Sequence, residues 1–108
     1  TSRQLKRILK RTGVGIARTG GYTGHGSGEV MIGFTTANRI PSGREEELLQ
    51  ISAIPEHVIN RAFLAAAEAE QEAILNSMTA AKQTRGREGE LYYSLAEYLN
   101  DREVETSK

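Results

Sequence analysis

The chain has 108 residues, with 14 basic and 14 acidic side chains and a formal net charge of zero. This length predicts one domain or part of one, and the balanced charge removes the general electrostatic reason for binding nucleic acid or an anionic membrane. Without cysteine the sequence excludes disulfide bonds and thiolate metal sites, and it fits a reducing compartment, so the cytoplasm is the predicted location. No apolar run approaches the roughly 18 residues of a membrane span.

The first predicted element is a helix at the start of the chain. Thr1 and Gln4 have capping-box spacing, and residues of the apolar face follow at helical intervals: Leu5, Ile8, Leu9, Thr12 and Ile16. The other side is basic, but no aromatic residue is interleaved, so we interpret it as a solvated helix face rather than a site for an anionic partner. A terminal threonine can be the nucleophile of a hydrolase, but the capping-box spacing favours a cap role for Thr1.

Residues 13–28 are too rich in glycine for a continuous helix or strand and predict a helix exit followed by a structured loop. Glycines at 24, 26 and 28 remove side-chain bulk, so a ligand can approach the backbone. In an extended loop, alternate side chains share one face, which carries His25, Ser27 and Glu29. A hydroxyl and a carboxylate that face the same space suit proton transfer. The alternative is a capped loop with a solvated carboxylate.

Two familiar motifs do not fit this loop. Glycine-rich phosphate-binding loops follow a strand and open a helix, whereas this loop precedes a predicted strand. The nucleophile elbow Gly-x-Ser-x-Gly requires glycine at position 25, which is histidine here.

Residues 30–37 alternate with period two and contain β-branched and aromatic side chains, which predicts a strand. Both faces are largely apolar, as in a strand that is covered by two layers, and Gly33 suggests close approach of another backbone. No other segment has a good strand pattern, and unpaired backbone groups in a buried strand would be costly. We therefore expect the strand to be completed by residues outside this chain.

The longest predicted helix runs from Pro55 to about Ala81. Before it, residues 40–54 predict a surface connection that includes the acidic run Glu45 to Glu47. The predicted inward stripe of the helix is Val58, Ile59, Ala62, Phe63, Ala66, Ala69, Ala73, Ser77 and Ala80. Carboxylates at 68, 70 and 72 spread around the helix, so we interpret them, like His57, as surface residues and predict no metal site and no cofactor.

The end of the chain predicts a polar connection over residues 84–90, a short helix over 91–99 and a flexible charged tail over about 100–108.

Three consecutive motifs resemble those of the L-aminopeptidase/D-amidase-esterase family, which includes β-peptidyl aminopeptidases. They are Gly15-Ile-Ala-Arg-Thr-Gly20, Gly24-His-Gly-Ser-Gly-Glu-Val30 and Phe34-Thr-Thr-Ala-Asn-Arg39. The helical segment 67–77 is similar to the long helix of that family. Together these motifs cover most of residues 5–77 in the same order. One difference lies at residues 82–86, where relatives often carry Glu-Thr-Met-Thr-Gly and this chain has Lys-Gln-Thr-Arg-Gly. If this segment lines the substrate pocket, the substrate specificity differs from that of the relatives.

The resemblance implies an α/β fold, an αββα sandwich, made as one precursor that cleaves itself into a larger and a smaller chain. This sequence resembles the smaller chain, which would be the C-terminal part of one domain and would supply helices and a central strand. The nucleophilic serine at the start of that chain is then expected before Thr1, outside this sequence. The family's Ser-x-Glu active-site pair corresponds to Ser27 and Glu29. Gly26, Gly28 and His25 are the expected lining of the substrate pocket.

The expected function is therefore that of an aminopeptidase or amidase subunit that releases N-terminal residues from small peptides, amides or esters through an acyl-enzyme. Its expected partners are the larger chain of the same precursor, further copies of the two-chain unit in a homo-oligomer, and a small substrate, with no nucleic acid and no membrane. The alternative is a non-catalytic binding or assembly subunit that keeps the fold. A basic-helix module for nucleic acid has little support.

Overall fold

The computed structural model describes residues 1–43 and 48–106. In these residues the structure has four α-helices and one two-stranded sheet: α1 (Ser2–Leu9), α2 (Thr12–Arg18), α3 (Ile59–Ala80), β1 (Thr84–Arg85), β2 (Leu91–Tyr92) and α4 (Leu95–Thr106). The chain divides within α3 into two compact units, Thr1–Gln71 and Glu72–Lys108. No helix in the described part of the chain is long and apolar enough to cross a membrane.

The capping box predicted at the start of α1 is confirmed. The backbone N–H of Gln4 donates to the Thr1 hydroxyl at 3.4 Å, and the Gln4 side-chain oxygen accepts from the Thr1 backbone nitrogen at 3.4 Å. These contacts satisfy backbone donors that the first turn of a helix leaves without partners. Thr1 is thus the N-cap, as its spacing predicts.

The predicted helix exit at residue 13 is wrong, because α2 continues through Gly13 and Gly15 to Arg18. Glycine is a poor helix former, so packing must favour it here. A Cβ on Gly15 would lie 2.5 Å from the carbonyl oxygen of Ala67 and 2.7 Å from Cβ of Glu70. Only a residue without a side chain allows α2 to approach α3 so closely.

The long helix is confirmed, with a 3-10 turn at Glu56–Val58 before α3. Its predicted inward stripe is partly wrong. Within α3 the buried residues are Ile59 and Ala67, with exposed fractions of 2% and 4%, and Ala67 is not in the predicted stripe. The later members of the stripe are exposed in this chain: Ala69, Ala73, Ser77 and Ala80. The contact with Gly15 determines which face of the helix is covered.

Part of the basic face that the sequence predicts for the first helix packs against the long helix, including Arg11, which follows α1. Arg7 and Arg11 lie over the ring of Phe63, with guanidinium carbons 5.4 and 4.1 Å from the ring centroid. Arg7 also donates to a carboxylate oxygen of Glu56 at 2.6 Å. Cation–π contacts stabilise by about 0.5–2 kcal/mol. The first helices are therefore joined to the start of the long helix by charged as well as apolar contacts.

The prediction of a strand over residues 30–37 is not met within this chain, because the structure assigns no β-ladder to them among the described residues. The period-two pattern nevertheless separates two faces. Val30, Ile32 and Phe34 are 89%, 87% and 86% exposed. On the other face, Gly33 lies against Leu9, whose methyl carbon is 2.8 Å from where a Cβ would be, and Met31 lies near Gly13. Strand pairing requires a neighbour, and the described residues provide none.

The surface connection over residues 40–54 has no helix or strand in its described parts, and the acidic run Glu45 to Glu47 lies outside the described residues. The two units therefore contain helices and one short sheet, and a sheet layer of the predicted αββα sandwich is not present in the described residues.

The C-terminal unit differs from its predicted form. The connection over residues 84–90 is part of an antiparallel hairpin, in which Thr84 pairs with Tyr92 and Arg85 with Leu91. The helix predicted from residue 91 therefore begins later, at Leu95. It continues to Thr106, into the region predicted as a tail, whose flexibility stays a prediction.

Helix α4 starts with a capping box. The pattern Ser94-x-x-Glu97 could have revealed it. A carboxylate oxygen of Glu97 accepts from the backbone nitrogen of Ser94 at 2.9 Å and from its hydroxyl at 2.8 Å. These hydrogen bonds hold the pKa of Glu97 below its usual range.

The contact between α2 and α3 gives a first prediction. Gly15→Ala should lower the free energy of unfolding by about 1–3 kcal/mol, because the methyl group would overlap backbone atoms of α3. Gly13→Ala, in the same helix, should raise it by about 0.5–1 kcal/mol, because alanine is the better helix former. At position 13 a Cβ would meet only the Met31 methyl carbon, at an ordinary 3.7 Å. Urea unfolding of the full-length protein is the measurement, and equal stabilities of the two variants would contradict the model of close helix contact.

The Arg7–Glu56 pair gives a second prediction. The hydrogen bond from Arg7 lowers the pKa of Glu56. A carboxyl group whose pKa is lower in the folded state stabilises the fold above its unfolded pKa of about 4.3, and this contribution is lost as the pH falls through the folded pKa. The stability advantage of the native protein over Glu56→Gln should therefore narrow as the pH falls below about 4.3. Urea unfolding at a series of pH values measures this difference in the free energy of unfolding. Glu68→Gln, on the exposed side of α3, is the control.

Candidate active site

The loop that leads to the candidate site leaves α2 through a glycine turn and reaches a strained residue. Gly20 has a φ of 99°, and Thr23 has a φ of 55°. The left-handed region is unfavourable for a β-branched residue, by about 1–2 kcal/mol. Residues held in this way cluster at functional sites. Nothing in the sequence indicates this conformation of Thr23.

Residues 24–27 form a tight turn, which corrects the prediction of an extended loop. The backbone nitrogen of Ser27 donates to the carbonyl oxygen of Gly24 at 3.0 Å, and the Ser27 hydroxyl donates to the same oxygen at 3.2 Å. His25 and Gly26 are the central residues of this turn. His25 therefore does not alternate with Ser27 and Glu29 along one extended face, since the chain reverses between them.

The loop is open around its glycines. A Cβ placed on Gly26 or Gly28 would meet no atom within 4 Å. At Gly24 it would lie 3.1 Å from the ring of Tyr22. Residues 25–30 are all exposed in this chain. Packing within the chain thus does not explain the glycines at 26 and 28, and an approaching molecule would meet bare backbone there.

Glu29 lies at the edge of a groove formed by α1, α2, the segment that follows Glu29, and α3. The lining residues are Leu9, Thr12, Ile16, Glu29, Val30, Met31, Ile32 and Glu70. Ser27, His25, Gly26 and Gly28 are outside this lining, so the structure brings Glu29 and not the whole predicted set to the groove. Glu70, predicted to lie on the solvated face of the long helix, is part-buried and lines the groove with Glu29.

The expected network of Ser27 and Glu29 is not formed directly in this chain, since the Ser27 hydroxyl donates to Gly24. Its oxygen keeps lone pairs that can accept a hydrogen bond. An exposed carboxylate two residues further on can accept a proton or orient a donor that approaches from outside the chain. The arrangement therefore offers acceptors to a reacting group that another segment would supply.

No group of three or more candidate metal ligands exists in the part of the chain that the structure describes. The three carboxylates of the long helix are spread around it, with Glu68 and Glu72 exposed and Glu70 part-buried. His57 is exposed in the 3-10 turn before α3, as predicted.

A polar contact that the sequence did not indicate ends the segment that follows Glu29. The side-chain nitrogen of Asn38 donates to the carbonyl oxygen of Ser52 at 2.9 Å, and the backbone nitrogen of Ser52 donates to the Asn38 side-chain oxygen at 2.8 Å. The partners are 14 residues apart in the chain, so no local pattern could predict this contact.

Comparison with known proteins gives consistent results. The model of Peptidase family S58 matches residues 1–92. The chain is 34% identical over 86 residues to beta-peptidyl aminopeptidase BapA of Sphingosinicella microcystinivorans, and 29% identical over 93 residues to the protein of that name from Sphingosinicella xenopeptidilytica. The crystal structure of the PH0078 protein from Pyrococcus horikoshii OT3 is similar, with a TM-score of 0.83 and 46% sequence identity.

These matches cover most of this chain but a minor part of each relative. They cover 80% and 85% of this chain, and 22% and 23% of the two aminopeptidases. For the Pyrococcus horikoshii structure the shares are 94% of this chain and 29% of that chain. The family model includes the complete glycine loop and the helical segment 67–77. The chain therefore belongs to peptidase family S58, which confirms the resemblance to the L-aminopeptidase/D-amidase-esterase family.

Proposed function

We propose that this chain is the small-chain part of a self-processing serine aminopeptidase or amidase. The observation that carries the proposal is the family match over residues 1–92, which includes Ser27 and Glu29. The similar proteins from Sphingosinicella are named beta-peptidyl aminopeptidases, which supports a substrate with a free N-terminal residue. The open glycine loop beside Glu29 supports a reaction that takes place against this surface.

In the proposed mechanism, a serine at the start of the processed small chain attacks the carbonyl carbon of the substrate. Glu29 accepts or directs the proton from that serine or its α-amine, and Ser27 contributes a hydrogen bond to the same network. The amine of the substrate leaves with a proton, and the acyl group remains on the serine oxygen. Water then attacks the acyl-enzyme and releases the carboxylic acid. Neither step uses a metal or a cofactor.

The larger chain of the same precursor is the proposed partner. The exposed face of Val30, Ile32 and Phe34 supports this proposal, because three large apolar side chains in a row favour burial against another layer. We propose that residues 30–37 become a central strand of an αββα sandwich when strands of the larger chain pair with them. Assembly of such two-chain units into a homo-oligomer, and a cytoplasmic location, stay predictions.

The proposed strand gives a prediction on the full-length protein. Peptides that cover residues 30–36 should exchange amide hydrogens slowly, because both edges of the backbone would be hydrogen-bonded. Peptides that cover residues 48–51 of the surface connection, which end before the hydrogen-bonded Ser52, serve as the fast-exchanging reference. Rapid exchange of residues 30–36, measured by mass spectrometry, would contradict a central strand.

The proposed role of Glu29 gives a further prediction. Glu29→Gln keeps the shape and removes the negative charge, so kcat with an amino-acid p-nitroanilide should fall by roughly 10²-fold or more while the melting temperature is unchanged. Ser27→Ala should also lower kcat, and the double variant should lose less than the sum of the two losses in activation free energy, because the residues would share one network.

The matched control is Glu68→Gln, which removes an exposed carboxylate from α3 and should leave kcat unchanged. Near-normal turnover of a folded Glu29→Gln protein would remove Glu29 from the mechanism. A correctly processed native protein without hydrolytic activity would favour the alternative of a non-catalytic binding or assembly subunit.

A further inference from the structure

Two side-chain amides bind the backbone of the same short segment, at alternate residues. Asn38 forms the pair of hydrogen bonds to Ser52 described above, at 2.9 and 2.8 Å. Gln4 does the same at Ile54: its side-chain nitrogen donates to the Ile54 carbonyl oxygen at 2.5 Å, and its oxygen accepts from the Ile54 backbone nitrogen at 3.3 Å. A carboxamide can pair with the N–H and C=O of one extended residue as a neighbouring strand does, because its NH2 group donates and its oxygen accepts on the same side.

The two contacts join different parts of the chain to this short segment. Gln4 is buried in α1 and also belongs to the capping box, so it joins residue 54 to the start of the first helix. Asn38 lies at the end of the segment that begins with Glu29. Between Glu29 and Asn38 the described backbone has no β-ladder. Within this chain the segment is located by packing of Met31 and Gly33 against α2 and α1.

We propose that Asn38 is a positioning residue for Glu29, and this inference rests on the proposed aminopeptidase function. The proposed ladder would fix the segment relative to the larger chain. By joining the downstream end of the segment to Ser52, Asn38 fixes it relative to α1 and α2 of its own chain. Packing of apolar side chains tolerates small shifts along its direction, whereas two hydrogen bonds at 2.8 and 2.9 Å do not. A carboxylate that handles protons requires its position to be accurate to well within about 1 Å.

The substitution Asn38→Asp tests this role through the protonation of the new side chain. As a carboxylate it accepts from the Ser52 nitrogen but has no proton for the Ser52 carbonyl oxygen, so the segment should loosen. When the carboxyl group is protonated it can donate again. In the full-length processed protein, kcat at pH 8 should fall by roughly 10- to 100-fold with KM within about twofold of the native value.

The pH profile is the decisive readout. The ratio of kcat of Asn38→Asp to kcat of the native protein should rise as the pH falls towards and below the ordinary Asp pKa of about 3.9. Asn38→Ala should lower kcat with no such recovery. Asn60→Asp, the same chemical change on the exposed side of α3, is the matched control and should keep a flat ratio close to one.

Each outcome decides a separate question. Native protein that does not hydrolyse amino-acid p-nitroanilides contradicts the proposed function. Active native protein together with unchanged kcat in both Asn38 variants contradicts only the positioning role. If both variants melt more than about 10 °C lower, or if kcat falls without any recovery of the Asn38→Asp ratio at low pH, Asn38 is a structural residue and the inference is overturned.

Discussion

The structure of the N-terminal unit depends on the close approach of α2 to α3 at Gly15. A side chain at this position would overlap the backbone of Ala67, which is buried at the contact. Once α2 lies against α3, Gly13 in the same helix faces Met31, and the preceding helix places Leu9 against Gly33. The segment that carries Glu29 thus takes its position from helices that are themselves located by one glycine.

In this unit, hydrogen bonds from polar side chains hold irregular backbone in place, as hydrogen bonds between strands do in a sheet. Gln4 and Asn38 hold alternate residues of one backbone segment by paired hydrogen bonds, and Arg7 joins Glu56 while it covers the ring of Phe63. A net hydrogen bond contributes about 0.5–1.5 kcal/mol, so several are needed to hold irregular chain in place. This explains how a long connection that has no helix or strand in its described residues can still locate a candidate active-site segment.

The apolar face of Val30, Ile32 and Phe34 connects the fold with the proposed function. Its side chains are almost fully exposed in this chain, while the chain spans under a third of the length of the relatives it matches. Burial of such side chains stabilises by about 1.5–3 kcal/mol each. In the proposal, the same contact with the larger chain would complete the sheet that carries Glu29, so catalysis would require this assembly.

The sequence by itself determined the features that arise within a few residues. The capping box of Thr1 and Gln4, the span of the long helix and the two faces of residues 30–34 follow from local hydrogen bonding and periodicity. The motifs around Ser27 and Glu29 also indicated the family. Tertiary structure decided why Gly15 belongs inside a helix, which face of α3 is covered, and where Asn38 finds its partner. These three features depend on contacts between residues that are 14 to more than 50 positions apart in the chain, and no local sequence pattern predicts such contacts.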